Sequence, residues 1–281
     1  MASTRIAYLG PAGTFTEDAL REALPGGEAF EPLLAPTVHD AIVAVERGEA
    51  ERALVPFENS TEGSVRSTLD ALAFEADGVT IVGEHDYAVR AMLLAREELE
   101  LNAITVVLSH PQPLAQCARF LRESLPGAEL RNVSSTAEAA RLVGESGEPW
   151  AAIGARAAAE LYGCRILREG IEDEANNVTR FVWIAPAGTE PEGGDNWKTS
   201  LVFSELGKDH PGALVEALQE FSSRAVNLTR IESRPLRSEL GRYMFFCDLE
   251  GAIADEAVAE AISALRTKAE SVRVLGSYPV A

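Results

Sequence analysis

Short apolar runs alternate with amphipathic stretches along most of the chain. TRIAYLG (4 to 10), RALVPF (52 to 57), VTIVG (79 to 83), AMLLA (91 to 95), ITVVLS (104 to 109), ELRNV (129 to 133) and WAAIG (150 to 154) read as strands. Residues from about Thr16 to Leu24, and those at 39 to 47, 113 to 123, 136 to 145 and 155 to 162, read as helices between them. That alternation is the rhythm of an α/β fold, in which helices cover the faces of a sheet. Most of the strands are short, apolar and bounded by glycine, proline or charge, which suits a mainly parallel sheet covered on both faces.

The pattern changes after FVWIA. Residues 186 to 196, PAGTEPEGGDN, have nothing to bury and predict a linker. WKTSLVFS then alternates, with Trp197, Thr199, Leu201 and Phe203 on one face, and the opposite face of Lys198, Ser200 and Ser204 is expected to be half solvated. Leu214, Ala217, Leu218 and Phe221 form an i, i+3, i+4, i+7 stripe, as do Val258, Ala261, Ile262 and Leu265. With strands between and after these helices the order is βαββαβ, the ferredoxin-like arrangement. Within it the apolar phase of Val226 and Leu228 shifts at Ile231, which predicts a bulge near Thr229. The expected division is a first unit at 1–186, a linker at 187–196 and a second unit at 197–281.

Composition narrows the chemistry. A chain of 281 residues, 46% apolar and 25% charged, has room for two packed domains. Cys117, Cys164 and Cys247 form no CxxC pair and are expected to be buried thiols. The histidines at 39, 85, 110 and 210 lack metal-ligand spacing, so no metal is expected. A formal charge of -19 opposes binding to nucleic acid or anionic membrane and gives no steering of an anionic substrate, so any anion must be captured by local donors. With no basic and apolar leader and no membrane-length apolar run, the cytoplasm is the expected location.

Four stretches gather polar groups where strands end. GPAGTFTEDAL follows the first strand, and Thr14 and Glu17 have capping-box spacing, which would aim helix amides at an anion or simply close a βα turn. VPFENSTEGSV sets Glu58, Asn59, Ser60 and Thr61 after apolar residues: either a carboxylate tuned for proton transfer beside an amide that holds substrate, or a capped helix start with Glu58 in solvent. LSHPQPLAQC brings Ser109 and His110 to a strand end and Gln116 into the next helix, and the adjacency of Ser109 and His110 on an extended segment argues against a Ser-His nucleophile. VTRFVWIA opens a strand with Thr179 and Arg180, where an open α/β sheet collects ligands.

Together GPAGTFT, VPFENSTEGSV, SHPQPLAQC and NNVTRF (176 to 181) resemble the prephenate dehydratases, and HPGAL (210 to 214) with NLTRIESRP (227 to 235) resembles the ACT regulatory domain. The resemblance covers essentially the whole chain, and Cys164 departs from it where the family usually has an aliphatic residue. It implies a two-lobed α/β catalytic domain of periplasmic-binding-protein type, followed by the ferredoxin-like ACT domain. It also implies cofactor-free conversion of prephenate to phenylpyruvate, water and carbon dioxide in phenylalanine biosynthesis. Thr179 would meet the leaving hydroxyl with Glu58 as proton source. Asn59, Ser109 and Gln116 would orient substrate, and amides around Thr14 would receive a carboxylate. Thr16, Ser60 and Phe181 fall in the same motifs as candidate substrate contacts. Arg180 would pair with a substrate carboxylate or, by side-chain alternation, with a structural partner. Gly212, Ala213, Leu214, Asn227, Leu228, Glu232 and Ser233 would enclose the effector L-phenylalanine between ACT domains of a homodimer or homotetramer. Arogenate dehydratase, and a non-catalytic amino-acid sensor, are the alternatives.

Overall fold

The computed structural model describes residues 3–24, 26, 29–206, 211–237 and 241–280. A first lobe is built from β1 (Thr4–Leu9), α1 (Phe15–Ala23), β2 (Phe30–Ala35), α2 (Val38–Glu46), β3 (Arg52–Asn59), β4 (Gly63–Ser64), α3 (Arg66–Phe74) and β5 (Val79–Ala88). The chain then crosses to a second lobe: β6 (Met92–Ala95), β7 (Val106–Ser109), α4 (Pro111–Gln116), α5 (Ala118–Ser124), β8 (Glu129–Asn132), α6 (Thr136–Glu145), β9 (Trp150–Gly154), α7 (Arg156–Tyr162) and β10 (Arg165–Glu169). It returns through β11 (Val178–Pro186), which inserts into the first sheet between β5 and β3. A last unit holds β12 (Trp197–Leu206), α8 (Ala213–Ser222), β13 (Leu228–Pro235), β14 (Tyr243–Glu250), α9 (Glu256–Leu265) and β15 (Ala269–Pro279).

Parallel pairing is less dominant than the sequence predicts. β1 runs parallel to β2 and β3, and β7 to β8 and β9, but β11 is antiparallel to both its neighbours and β6 to both of its own. The reason is the double crossing: a strand that returns from the other lobe enters the sheet from the opposite end. β2 escapes the sequence pattern because FEPLLA carries Pro32, which a sheet accepts only where no ladder hydrogen bond is needed, and β2 is the edge strand. The helix expected at 113 to 123 is two helices, broken at Cys117, where φ is -113° and ψ 18°.

The last unit is not a bead on a linker. Its sheet, in the order β13-β14-β12-β15, continues through β15 and β5 into the sheet of the first lobe. The junction requires glycine: a Cβ at Gly276 would stand 2.2 Å from the carbonyl oxygen of Ile81. Val202, Phe246, Leu275 and Tyr278 share a core with α2, α3 and β3 of the first lobe, while α8 and α9 cover the other face. The face of Lys198, Ser200 and Ser204, expected to be half solvated, is therefore buried, with Ser200 only 1% exposed. Nothing within one strand tells which polar face a second unit will cover.

Candidate functional site

β3 and β11 decide where each candidate side chain points. Asn59 pairs with Thr179 and Glu58 with Arg180, but the next partner of β11, Phe181, faces Pro56, so Phe57 is an extra residue on β3. Two successive residues of a bulged strand oppose one on its partner, and alternation is reset there. The bulge turns Glu58 to the same side as Phe57 and leaves Asn59 on the side of Thr179. Contacts agree: the Arg180 guanidinium lies 4.8 Å from the Phe57 ring centre and 3.1 Å from Glu58, whereas Asn59 bonds Thr179.

On the Thr179 side the geometry is tight. Asn59 Nδ2 donates to Thr179 Oγ1 at 2.9 Å and to Asn177 Oδ1 at 2.7 Å. Its Oδ1 accepts from the Thr61 amide at 2.9 Å, the Glu62 amide at 3.0 Å and the Thr61 hydroxyl at 2.7 Å, so one side chain folds the 59–62 loop and grips β11. Ser60 Oγ donates to the Asn176 carbonyl at 2.7 Å and accepts from the Val178 amide at 3.0 Å. Ser60 is thereby a clasp between two loops, with both bonds spent on backbone. Thr179 is 9% exposed, and because its oxygen already receives a proton from Asn59, its own hydrogen remains to be donated elsewhere.

Glu58 does not stand in an apolar niche. Its carboxylate lies 3.1 Å from Arg180 and 3.6 Å from Arg230, and it faces away from Thr179. Arg180, offered by its motif as a substrate contact, also reaches Asp248 at 2.7 Å and Glu84 at 3.5 Å. Burial opposes its charge most strongly, but Asp248, Tyr278 and Glu84 together outweigh that and hold the guanidinium above its ordinary pKa. Side-chain alternation, which favours a structural ion pair, describes Arg180 better than the motif does. Phe181 is a core residue, 3% exposed and edge-on to Tyr87 at 6.4 Å, because it follows Thr179 by two positions and descends under α1.

The remaining candidates lie around the crossing. Ser109 is fully buried and donates to the Ile153 carbonyl at 2.8 Å, so its hydroxyl ties β7 to β9 and does not face a cleft. Gln116 is half buried at the end of α4, and its carbonyl accepts from Asp173 of the returning segment at 2.7 Å. Thr14 precedes α1 with no cap from its own side chain. Glu17 instead reaches back to the Gly13 amide at 2.7 Å, so one donor proposed for a substrate carboxylate is already taken. Thr16 is buried in the first turn of α1.

Two residues that the sequence reading passed over join the lobes. Asp18 of α1 accepts from the Arg156 and Ala157 amides at 2.9 and 2.8 Å, capping α7 of the other lobe, and burial raises its pKa despite those bonds. Asn177 is buried between Asn59 and the hinge, where its carbonyl accepts from Val89 at 2.9 Å. Its position inside NNVTRF was the available signal. For Asp18 there was none, since an acid in a first turn ordinarily serves its own helix. A cavity of about 620 Å³ opens beside this cap, but no candidate residue lines it, and its arginines Arg21, Arg90 and Arg156 are already paired with Glu160, Glu172 and Glu169.

In the regulatory-like unit, Gly212 caps α8 at φ +99°, a conformation that disfavours any side chain, with Ala213 and Leu214 in the first turn. His210 of the same motif lies outside the described residues. Leu228 pairs with Leu249 and Arg230 with Asp248, so the extra residue of β13 is Thr229. Beyond that bulge Arg230, Glu232 and Arg234 turn toward the first lobe. Glu232 accepts from Ser64 at 3.2 Å, so its side chain faces the first lobe. Asn227 and Ser233 are exposed, and Leu228 packs on the core of α8 and α9.

Comparison with known proteins gives the same frame. Residues 6–189 match the family model for prephenate dehydratase, and residues 205–267 match that for the ACT domain. A prephenate dehydratase of Mycobacterium sp. strain JLS is 44% identical over 98% of this chain and 89% of its own length. A prephenate dehydratase of Arthrobacter aurescens, solved in complex with L-Phe, is 40% identical with a TM-score of 0.88, covering 98% of this chain and 90% of that one. GqqA, described as a quorum quenching acylase, is 33% identical with a TM-score of 0.87, covering 99% of this chain and 98% of that one. The chain belongs to the prephenate dehydratase family.

Proposed function

We propose that the chain converts prephenate to phenylpyruvate, water and carbon dioxide, and that L-phenylalanine bound at the C-terminal unit regulates it. The division into a catalytic unit at 1–186, a linker at 187–196 and a regulatory unit at 197–281 is part of this reading. In the reaction the ring carboxylate leaves as carbon dioxide, and its bonding pair enters the ring. The hydroxyl opposite departs with the pair of its own carbon-oxygen bond and takes up one proton to become water. The protein must stabilise negative charge growing on that oxygen.

The observation that carries the mechanism is the bond from Asn59 Nδ2 to Thr179 Oγ1 at 2.9 Å. An amide that donates to the threonine oxygen orients the threonine hydrogen outward, toward the departing hydroxyl. Such a fixed donor is worth most where charge develops in the transition state, typically 10² to 10³ in rate. Glu58, held by two arginines, is not the proton source in this scheme. An acylase reading, suggested by the second structural relative, needs a nucleophile with a base beside it. Ser109 donates to a backbone carbonyl and Thr179 is held by an amide donor, so neither hydroxyl is activated in that way.

Regulation is supported by the ACT match and by the L-Phe complex of the Arthrobacter relative. β13 is the edge of the ten-stranded sheet and Ile231, Tyr243 and Val215 are exposed apolar side chains, which suits pairing with a second copy through this unit. The test is incubation of the purified protein with prephenate and, separately, with arogenate. Phenylpyruvate from prephenate supports the reading, and phenylalanine from arogenate without phenylpyruvate from prephenate overturns the substrate assignment. Calorimetry with L-phenylalanine tests the regulatory half, which fails if no heat is measured.

A further inference from the structure

The seam between the two units carries more buried charge than its packing requires. Arg180 of β11 meets Asp248 of β14 at 2.7 Å, and Asp248 in turn accepts from Ser200 at 2.6 Å. Lys198 of β12 holds Glu84 of β5 at 2.7 Å. Arg230 of β13 lies 3.6 Å from Glu58 and donates to Ser64 at 2.6 Å. Arg180 and Arg230 both stack on Phe57, at 4.8 and 5.0 Å from its ring centre. Taking such charges out of water is expensive, and well-packed apolar groups often stabilise a seam as well.

Position in the chain is the informative part. Arg180 is the residue after Thr179, and Glu58 the residue before Asn59. Each regulatory-side partner thus holds the side chain of the residue adjoining one half of the proposed catalytic pair. The two bulges make this possible. Phe57 turns Glu58 toward the seam while leaving Asn59 in the site, and Thr229 turns Arg230 and Glu232 toward the same seam while Leu228 stays in the regulatory core. Among the described residues, Arg180 Nε and Arg230 Nη1 are buried without an acceptor, so the network has donors free for a second arrangement.

We infer that Asp248 and Arg230 are positioning residues for the reaction: through Arg180 and Glu58 the regulatory unit sets the placement of Thr179 and Asn59, and phenylalanine acts on the rate by shifting these links. The coupling half rests on the proposed regulation by phenylalanine, while the positioning half stands without it. Coupling between sites requires an element with two arrangements that both ligands bias, and here it is the seam.

The test uses the full chain in three variants. Asp248→Asn removes the charge that faces Arg180. Ser200→Ala weakens the same buried cluster but leaves the Arg180 pair in place. Ser64→Ala cuts the link from Arg230 and Glu232 to β4. Melting temperature, kcat and KM for prephenate, the phenylalanine dissociation constant and the ratio of kcat/KM without and with saturating phenylalanine are measured for each. Asp248→Asn is expected to lose about tenfold in kcat with KM changed less than about twofold, the split expected when an interaction made only in the transition state is disturbed. Ser200→Ala, melting as low or lower, is expected to keep wild-type kcat, which a purely structural role of the cluster would not allow. The inhibition ratio, about 5- to 150-fold where coupling is of ordinary size, is expected to fall at least threefold in Asp248→Asn and Ser64→Ala while both still bind phenylalanine. Wild-type kcat and inhibition ratio in a folded Asp248→Asn overturn the inference. If that variant does not fold, a wild-type inhibition ratio in Ser64→Ala overturns it. A wild-type protein that ignores phenylalanine overturns the regulatory reading alone, and the kcat of Asp248→Asn still decides the positioning claim.

Discussion

Replacing Asn59 by Asp is the sharpest probe of the proposed catalytic pair, because it changes two hydrogens and almost no volume. The acceptor side of the residue, which holds the Thr61 and Glu62 amides at 2.9 and 3.0 Å, survives and becomes charge-assisted. The donor side is lost: a carboxylate cannot donate to Thr179 Oγ1 or to Asn177 Oδ1. Asn177 can turn its amide so that it donates to the new carboxylate, which limits the loss of stability to about 1 kcal/mol, one net hydrogen bond. Thr179 has no such remedy. Its hydrogen turns to the carboxylate, and the departing hydroxyl of the substrate loses its donor. Losing one donor to developing charge takes about 2.7 to 4 kcal/mol from the transition state, a fall of roughly 10² to 10³ in kcat. Steady-state assay of phenylpyruvate formation, alongside a thermal melt, checks it. A folded Asn59→Asp protein with kcat within threefold of wild type would refute the account of how Thr179 is oriented.

Three other substitutions separate site from scaffold. Phe181→Leu should lower stability by about 1 kcal/mol, as a volume-changing core substitution does, and leave KM for prephenate unchanged; a KM raised tenfold in a stable protein would return Phe181 to the substrate contacts. Gly276→Val should cost about 3 kcal/mol or more, as overpacking does, since its Cβ would meet the Ile81 carbonyl at 2.2 Å, and equal melting temperatures would show that the seam can yield. Asp18→Asn tests the cap between lobes. The raised pKa of Asp18 means that the folded chain holds this proton more tightly than the unfolded one. The contribution of Asp18 to stability is therefore greatest below its unfolded pKa of about 3.9, and it falls as pH rises through the raised folded value. Relative to Asp18→Asn, the wild type should lose melting temperature as pH rises across that window, and a difference that grows instead would contradict the burial argument.

What the sequence made legible was the placement of motifs at strand ends and the order of elements in the last unit, while β2, α3 and β10 of the first unit went unread. The two bulges show where legibility stops. Thr229 announces itself because the apolar phase of NLTRIE slips there, from Leu228 to Ile231. Phe57 is silent, because ALVPF is apolar at every position and an extra residue disturbs no pattern. Yet that bulge turns Glu58 toward Arg180 and leaves Asn59 on Thr179, a separation that reading along the chain does not show. Ser200 and Lys198 looked solvated for a related reason: one strand does not record what a distant sheet lays over it. Ser109 sits in a motif of the family, and only the Ile153 carbonyl, 44 positions away, fixes its hydroxyl.

The central claim is that the hydroxyl of Thr179, held by Asn59, is the donor to the departing oxygen. Single-turnover rates on prephenate for wild type, Thr179→Ser and Thr179→Ala test it most directly, since they isolate the chemical step from binding and release. Ser should retain most of the rate, and Ala should lose about 10² or more. An Ala variant that turns over prephenate at the wild-type rate contradicts the claim.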